Sequence, residues 1–187
     1  MKTLILNGSP RMKGETMKLI DAFTQEMDQE EIRIVHAYTA GIRPCIDCRW
    51  CFENKGCAIQ DGMQEIYDYL EECDHIVIAS PVYFEELTGM LLALLSRLQT
   101  YFSAKYMRRE TILPRKKTGA VFLCAGSIGP REKAESTARM LLELVNCQCL
   151  GTVYAGKTDK IPVEEQPDVL KEVKALAAEM KKHGENS

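Results

Sequence analysis

Half of the cysteines in this chain lie in one short segment. Residues 45–57 read CIDCRWCFENKGC and contain Cys45, Cys48, Cys51 and Cys57, four of the eight cysteines in 187 residues. Thiolates bind soft metals and iron–sulfur clusters, form disulfides and take part in redox exchange. The C-x2-C-x2-C-x5-C spacing is therefore compatible with a metal cluster, a disulfide knot, a redox switch or a loop without a chemical role.

The N-terminus and the apolar runs give no sign of export or of a membrane span. The apolar part of MKTLILNGSP is too short for a signal-peptide core, and MLLALL (90–95) is far shorter than a membrane helix. We therefore expect a cytoplasmic protein, whose thiols stay reduced and for which a disulfide framework is disfavoured. The formal net charge of −3 gives no overall attraction to nucleic acid.

Five apolar runs alternate with segments of helical periodicity along the chain. Their apolar character is continuous rather than alternating, as in strands covered on both faces. They cover residues 3–8, 32–38, 75–80, 119–125 and 151–156. This order predicts one α/β domain over residues 1–187, built as a doubly wound, five-stranded parallel sheet with helices on both faces.

Three of the helical segments carry apolar residues on one face. These residues are Leu91, Leu94, Leu95, Leu98 and Phe102 in the first, Ala134, Ala138, Leu141 and Val145 in the second, and Val169, Val173, Leu176 and Met180 in the third. Pro130 and Pro167 stand where a first helical turn tolerates proline. Asp61 and Gln64 suit the start of a helix over residues 63–70.

The loop after the first strand, NGSPRMKGET (7–16), leads into a helix. Its glycines have neither the Walker A spacing nor that of a dinucleotide-binding loop. It combines Ser9, Arg11 and Thr16 with a helix N-terminus, whose free amides and dipole favour an anion. Two interpretations stay open at this point: an anion-binding loop, or an ordinary strand-to-helix turn with solvated side chains.

The loop after the third strand places two aromatic residues, Tyr83 and Phe84, at the end of an apolar run. A flat ring could lie against such a loop while backbone amides contact its edges. The alternative is that the aromatic rings fill the core, which we expect for one of the two.

Three motifs taken together resemble one family. NGSPR…GET, SPVYF…LTGMLLALLSRL and the cysteine loop followed by IQDGM occur here in one order. The chain thereby resembles the flavodoxin-like NAD(P)H-dependent FMN reductases and, among them, the iron–sulfur flavoproteins. The resemblance runs from about Lys2 to Val153. It implies a flavodoxin-like fold that binds FMN noncovalently at the carboxyl ends of the strands.

The resemblance also implies which residues contact FMN. Ser9, Arg11 and Thr16 would contact its phosphate, with backbone help from Gly14 and Glu15. The flavin ring and the ribityl chain would contact the two later loops. These comprise Pro81, Val82, Tyr83 and Phe84 on one side and Ala125, Gly126 and Ser127 on the other.

Two positions depart from the family pattern. Glu15 stands where Asn is usual, which puts a carboxylate beside a dianionic phosphate. We expect its side chain to turn to solvent while its amide still serves the phosphate. Glu85 stands where Gly is frequent, and it would change what can stack on the exposed flavin face.

The cysteine loop resembles the compact ligand motif of the iron–sulfur flavoproteins. The resemblance implies a [4Fe–4S] cluster on Cys45, Cys48, Cys51 and Cys57. Gly56 would let the chain turn back and deliver Cys57. A structural zinc site fits less well, because such sites usually pair two Cys-x2-Cys units across a longer insert. A thiol-rich cover over the flavin edge and a subunit interface are the alternatives.

The remaining cysteines are expected to pack as buried apolar side chains. They are Cys73, Cys124, Cys147 and Cys149. Cys124 differs from the others because it lies beside a predicted flavin loop.

The function implied by the resemblance is that of an FMN-dependent oxidoreductase. NAD(P)H would reduce the flavin, and a quinone, a free flavin or another small acceptor would receive the electrons. The flavin carries this chemistry, so no catalytic acid or base is named. The family also implies a homodimer or homotetramer. A non-enzymatic electron carrier with FMN and a cluster is the alternative, and a flavin-free scaffold or regulator is a third.

Overall fold

The computed structural model of the protein describes residues 1–27 and 30–185, in which the strands form one sheet. The strands are β1 (Lys2–Asn7), β2 (Glu31–His36), β3 (His75–Pro81), β4 (Lys117–Cys124) and β5 (Cys147–Ala155). Every neighbouring pair is parallel, in the order β2-β1-β3-β4-β5. This flavodoxin-like order reverses its winding between β1 and β3. The predicted fold class is confirmed.

Helices cover both faces of the sheet. They are α1 (Glu15–Glu26), α2 (Trp50–Glu53), α3 (Met63–Glu72), α4 (Gly89–Leu95), α5 (Gln99–Tyr106), α6 (Glu132–Leu144) and α7 (Pro167–Glu185), with 3₁₀ turns at Ser96–Leu98 and Val163–Glu165. Side chains of α1 and α7 share one buried cluster, and those of α3 to α6 share the other. Within the described ranges, none of the helices combines the length and apolar character that crossing a bilayer requires.

The predicted strands agree with the observed ones to within two residues at every end but one. The exception is β5, which begins at Cys147 rather than at residue 151. β5 is an edge strand with several half-buried residues. It therefore lacks the continuous apolar run by which a strand buried on both faces is recognised.

Two helical predictions are wrong in detail. Pro130 lies outside α6, because Arg131 (φ −140°, ψ 1°) precedes the first helical residue, Glu132. Phe102 is 38% exposed and stacks on Tyr106 at 4.6 Å between ring centroids, instead of joining the buried leucines of α4. The 3₁₀ turn before α5 has about three residues per turn instead of 3.6. Residues after this turn therefore lie on a different face from the one that continuous α-helical spacing predicts.

Other helical predictions are confirmed. Pro167 is the first residue of α7, as predicted. The predicted helix from Met63 is observed as α3, and Asp61 Oδ1 accepts the Met63 amide at 3.0 Å just before it. Leu91 and Leu98 are buried on the predicted face.

Gly119 in β4 lies where the neighbouring strands leave no room for a side chain. A Cβ at this position would lie 2.5 Å from the Ile76 carbonyl oxygen and 2.7 Å from Cys147 Sγ. The first of these neighbours is backbone of the paired strand β3, which cannot move aside without disturbing the ladder. One added methyl group therefore overpacks the centre of the sheet.

We predict that Gly119→Ala lowers the free energy of unfolding by about 1–3 kcal/mol, the usual cost of overpacking. Urea unfolding followed by circular dichroism measures this change. Gly129→Ala is the matched control, since a Cβ at Gly129 would meet no atom within 4 Å. We expect the control to stay within about 0.5 kcal/mol of the parent protein. Equal stability of the two variants would contradict the packing described for β4.

Candidate functional site

A cavity of about 230 Å³ lies at the carboxyl edge of the sheet, between the loops that follow β1, β3, β4 and β5. Most of the residues predicted to contact FMN line it, and Phe84 and Ser127 are the two that do not. The lining consists of Ser9, Pro10, Arg11, Gly14, Glu15, Thr16, Pro81, Val82, Tyr83, Cys124, Ala125, Gly126, Thr158 and Asp159. Three separate predicted loops therefore meet at one open site.

The β1–α1 loop is shaped by its own hydrogen bonds. Asn7 Oδ1 accepts the Ser9 amide at 2.8 Å. Ser9 Oγ donates to the Arg11 carbonyl and accepts the Arg11 amide, both at 3.2 Å, and the Gly14 amide donates to the same carbonyl at 3.2 Å. Ser9 and Thr16 are buried, whereas the Arg11 side chain is exposed. The loop thus curls around Ser9 and presents Arg11 at its rim.

Helix α1 begins at this loop, and its first two amides make no hydrogen bond within the helix. Gly14 is extended (φ −88°, ψ 176°), and the Met17 amide makes the first bond of the helix, to the Gly14 carbonyl at 2.9 Å. The amides of Glu15 and Thr16 precede that bond, as the first donors of any helix do. Together with the helix dipole, these donors suit an anion at the cavity.

The Glu15 side chain is held by protein groups. Its Oε2 accepts the Val163 amide at 2.6 Å, and its Oε1 accepts Lys18 Nζ at 2.8 Å. The expectation that this side chain turns to solvent is therefore wrong, because the 3₁₀ turn before α7 supplies a donor. The hydrogen bond to Glu15 also raises the pKa of Lys18. The Lys18 cation thus lies between the carboxylates of Glu15 and Glu164, close to the first amides of α1.

The β3–α4 loop contains a tight turn with unusual backbone. The Tyr83 amide donates to the Glu86 carbonyl at 2.9 Å, and the Glu86 amide returns a bond to the Tyr83 carbonyl at 3.0 Å. Between them Phe84 and Glu85 have φ of +52° and +68°. This left-handed pair forms a turn of type I′, where glycine and asparagine are usual. Non-glycine residues in such positions cost of order 1–3 kcal/mol each.

Neither aromatic residue of this turn fills the core. Phe84 is fully exposed and Tyr83 is 44% exposed. The prediction that one of the two is a core residue is wrong, because the turn points both rings out of the sheet. Glu85 is directed to α6 instead, where its carboxylate pairs with Lys133 at 3.1 Å. The Glu85 carbonyl also accepts the Ala134 amide at 3.0 Å, which fixes the turn against that helix.

The loops after β4 and β5 close the other side of the cavity. The Ala125 amide donates to Ala155, and Thr158 bonds to the Ala125 carbonyl through its amide (3.0 Å) and its hydroxyl (3.1 Å). A Cβ at Gly126 would lie 2.3 Å from an Asp159 carboxylate oxygen, so a larger residue here would displace the Asp159 side chain. Sequence reasoning missed Thr158 and Asp159. The sequence could have indicated them, because the fifth predicted strand also ends at this edge of the sheet and both residues follow it.

Cys124 is a buried wall of the cavity, and sequence reasoning identified it as the one cysteine beside a flavin loop. It is 3% exposed, and burial raises the pKa of its thiol to about 12. It is therefore protonated at neutral pH and acts as an apolar contact. Ser127, by contrast, lies outside the cavity and bonds through its carbonyl to Tyr154 Oη at 3.3 Å.

The four clustered cysteines line a second cavity, formed by the loop that carries α2. All eight cysteines of the chain are free thiols. The cavity is also lined by Arg97, Gln99 and Thr100 from the helix opposite, and it shares no lining residue with the first cavity. Gly56 has φ +84°, which confirms that the chain turns back just before Cys57.

The four thiols of this second cavity are of the type that ligates iron–sulfur clusters, but they do not lie at the spacing that a single metal ion requires. No group of three or more His, Cys, Asp or Glu side chains at metal-ion spacing occurs in the part of the chain that the structure describes. A single tetrahedral zinc centre needs such a group. A cubic cluster holds its four thiolates at separate corners, so four thiols around one cavity match its chemistry.

Known proteins resemble this chain in sequence and in fold. A family model described as NADPH-dependent FMN reductase matches residues 1–160. An iron–sulfur flavoprotein of Archaeoglobus fulgidus is 30% identical over 185 residues, which cover 96% of this chain and 79% of that protein.

Two solved structures show the shared fold at low sequence identity. An NAD(P)H:quinone oxidoreductase from Methanothermobacter marburgensis superposes with a TM-score of 0.71 at 16% identity, covering 95% of this chain and 97% of that one. An FMN-dependent NADH-azoreductase from Bacillus anthracis, in complex with FMN, gives a TM-score of 0.69 at 16% identity, covering 95% and 98%.

Proposed function

The chain belongs to the NADPH-dependent FMN reductase family, and we propose that it binds FMN, takes hydride from NAD(P)H and passes the electrons to a quinone, a flavin or another small acceptor. The observation that carries this proposal is the cavity at the switch point of the sheet, where three loops of suitable chemistry meet. Bound FMN would supply the hydride and electron transfer, and the protein would supply binding and orientation.

The phosphate end of the site is assigned to the β1–α1 loop. The amides of Glu15 and Thr16, the Thr16 hydroxyl and the Arg11 guanidinium are donors at one rim of the cavity. The Ser9 hydroxyl, which donates to the Arg11 carbonyl here, would turn to the phosphate. Amides at a helix N-terminus and an arginine are the groups that bind phosphate in many proteins. The Glu15 carboxylate is paired with Lys18 and bonded to the Val163 amide, which reduces its repulsion of an anion at this end.

The ring end is assigned to the β3–α4 and β4–α6 loops. Pro81, Val82 and Tyr83 form an apolar edge, and Ala125 and Gly126 face it across the cavity. Small residues and glycine let a flat aromatic ring approach the backbone closely. Cys124 lies beneath as a neutral, buried thiol. These residues would orient the ring and exclude water from it.

The cysteine cavity is assigned to a [4Fe–4S] cluster held by Cys45, Cys48, Cys51 and Cys57. Free thiols around one cavity support this assignment, as does the similarity to an iron–sulfur flavoprotein. Such a cluster would accept and donate single electrons. Iron and sulfide analysis of protein reconstituted without oxygen tests the assignment. Location in the cytoplasm and assembly as a homodimer or homotetramer remain predictions.

We predict that Arg11→Ala raises the dissociation constant of FMN about tenfold. A hydrogen bond to a charged group contributes about 1.5 kcal/mol at the low end of its range, which corresponds to that factor. Fluorescence quenching of FMN on titration into apoprotein measures it. Lys13→Ala is the control, because Lys13 is exposed in the same loop but does not line the cavity. Equal loss of affinity in the two variants would show that overall charge, rather than the Arg11 contact, governs binding.

We predict that NADH or NADPH bleaches the flavin absorbance of the purified protein in stopped-flow mixing. Hydride transfer needs the nicotinamide to reach the flavin, and the open side of the cavity at Tyr83, which is 44% exposed, provides that access. A quinone added afterwards should restore the absorbance. If neither nucleotide reduces the flavin while a ferredoxin-like donor does, the protein is an electron carrier and the enzymatic proposal is wrong.

A further inference from the structure

One face of the helical segment from Ser96 to Ser103, at the end of α4 and in α5, contacts the cysteine loop. The contacts come from residues spaced one, three and four apart on that segment. They are Ser96, Arg97, Thr100 and Ser103, which we call the template face. Three of these side chains are hydroxyls and the fourth is a fully buried arginine.

The three hydroxyls of the template face each bond at or beside a different cysteine. Ser96 Oγ accepts the Cys45 amide at 2.9 Å. Thr100 Oγ1 donates to the carbonyl of Gly56, the residue before Cys57, at 2.9 Å. The Cys51 thiol donates to Ser103 Oγ at 3.3 Å. Three of the four cysteines are thus fixed relative to one rigid helix.

Arg97 holds the two ends of the loop together. Its Nη1 donates to the Arg43 carbonyl at 3.0 Å, and its Nη2 donates to the Ile59 carbonyl at 3.0 Å. Arg43 and Ile59 lie two residues before the first clustered cysteine and two after the last. Asp61 completes the clamp, because its Oδ2 accepts Arg97 Nη1 at 2.8 Å and the Arg43 amide at 3.1 Å.

One nitrogen of the buried Arg97 side chain, Nε, is without an acceptor in the described part of the chain. Arg97 is 1% exposed and lines the cysteine cavity, and its Nε has no hydrogen-bond partner among the residues that the structure describes. A buried N–H group left unpaired is costly, so such groups are rare in native proteins. A sulfur atom bound in this cavity is an acceptor that would satisfy it.

The charge of Arg97 also suits a site rich in thiolates. Arg97 is buried, pairs with Asp61 at 2.8 Å and lines the same cavity as the four clustered cysteines. Arg108 donates to the Cys51 carbonyl and is itself paired with Glu110 at 2.7 Å. N–H donors near the sulfurs of a cluster raise its reduction potential.

We propose that the template face sets the positions of Cys45, Cys51 and Cys57 before a cluster assembles, and that Arg97 is a positioning residue whose Nε–H bonds to a cluster sulfur. This inference rests on the assignment of a cluster to the cysteine loop. Cys48 is exposed and is the one clustered cysteine whose position the three hydroxyl hydrogen bonds of the template face do not set. The arrangement explains how a loop with no strand of its own can present four thiols to one cavity.

The test uses the FMN-loaded protein, reconstituted without oxygen with ferrous iron and sulfide. Thr100→Val and Ser103→Ala should keep the wild-type FMN content but bind iron about 10–100-fold more weakly, as supporting residues of metal sites typically do. Arg97→Lys keeps the charge but loses the Nε–H and the planar fork. Its cluster should show an altered electron paramagnetic resonance spectrum and a more negative midpoint potential than the wild type.

Thr24→Val is the matched control, because the Thr24 hydroxyl also bonds to a backbone carbonyl, that of Asp21 at 3.0 Å, but lies on α1. It should leave iron binding and potential unchanged. Wild-type iron affinity in both hydroxyl variants, together with a wild-type potential in Arg97→Lys, would overturn the inference.

A separate measurement distinguishes a failure of loop preorganisation from a failure of cluster binding. If the wild type takes up no iron, that assignment fails, and the part of the inference that concerns sulfur fails with it. Preorganisation of the loop is then judged by hydrogen exchange of the Cys45 amide in the FMN-loaded protein. Ser96→Ala should accelerate that exchange at least about tenfold if the hydroxyl contact holds the loop, since a hydrogen bond contributes about this factor. An unchanged rate would refute preorganisation.

Discussion

The close contact between Gly8 and helix α4 is the constraint on which both sites depend. The Gly8 amide donates to the Ala79 carbonyl at 2.8 Å, and the Gly8 carbonyl accepts the Thr88 hydroxyl at 2.8 Å. A Cβ on Gly8 would lie 2.8 Å from side-chain atoms of both Thr88 and Leu91. Only glycine therefore lets α4 pack over the end of β1. This contact joins the β1–α1 loop, the proposed phosphate site, to the loop after β3 across the switch point of the sheet.

The same helical segment extends from one site to the other. Its first residue, Gly89, follows the loop that borders the proposed flavin site, and its continuation through Ser103 carries the template face. Both cavities are thus attached to one rigid element, although they share no lining residue. The two cavities differ in their chemistry. Amides and a glycine-containing loop at the first suit an anion and a flat ring. Hydroxyls and a buried arginine at the second suit a group of thiols.

Much of the fold and part of the site could be predicted from the sequence. Apolar runs located the strands, and loops at the carboxyl ends of parallel strands must share one edge, so the convergence of Ser9, Pro81 and Gly126 followed. The left-handed turn at Phe84 could not be predicted, because nothing in the residue types indicates positive φ at a phenylalanine. Arg97 was equally hidden, since its role depends on partners 36 to 54 residues away in sequence.

The central claim is that the cavity at the carboxyl edge binds a flavin through its phosphate. Calorimetric titration of the apoprotein with FMN and with riboflavin tests it directly, since the two ligands share the ring and ribityl chain and differ in the phosphate. We expect FMN to bind at least about tenfold more tightly than riboflavin, because a charged group adds about 1.5 kcal/mol or more through its hydrogen bonds. Equal affinity for the two ligands would contradict it, because the β1–α1 loop would then contribute nothing to binding.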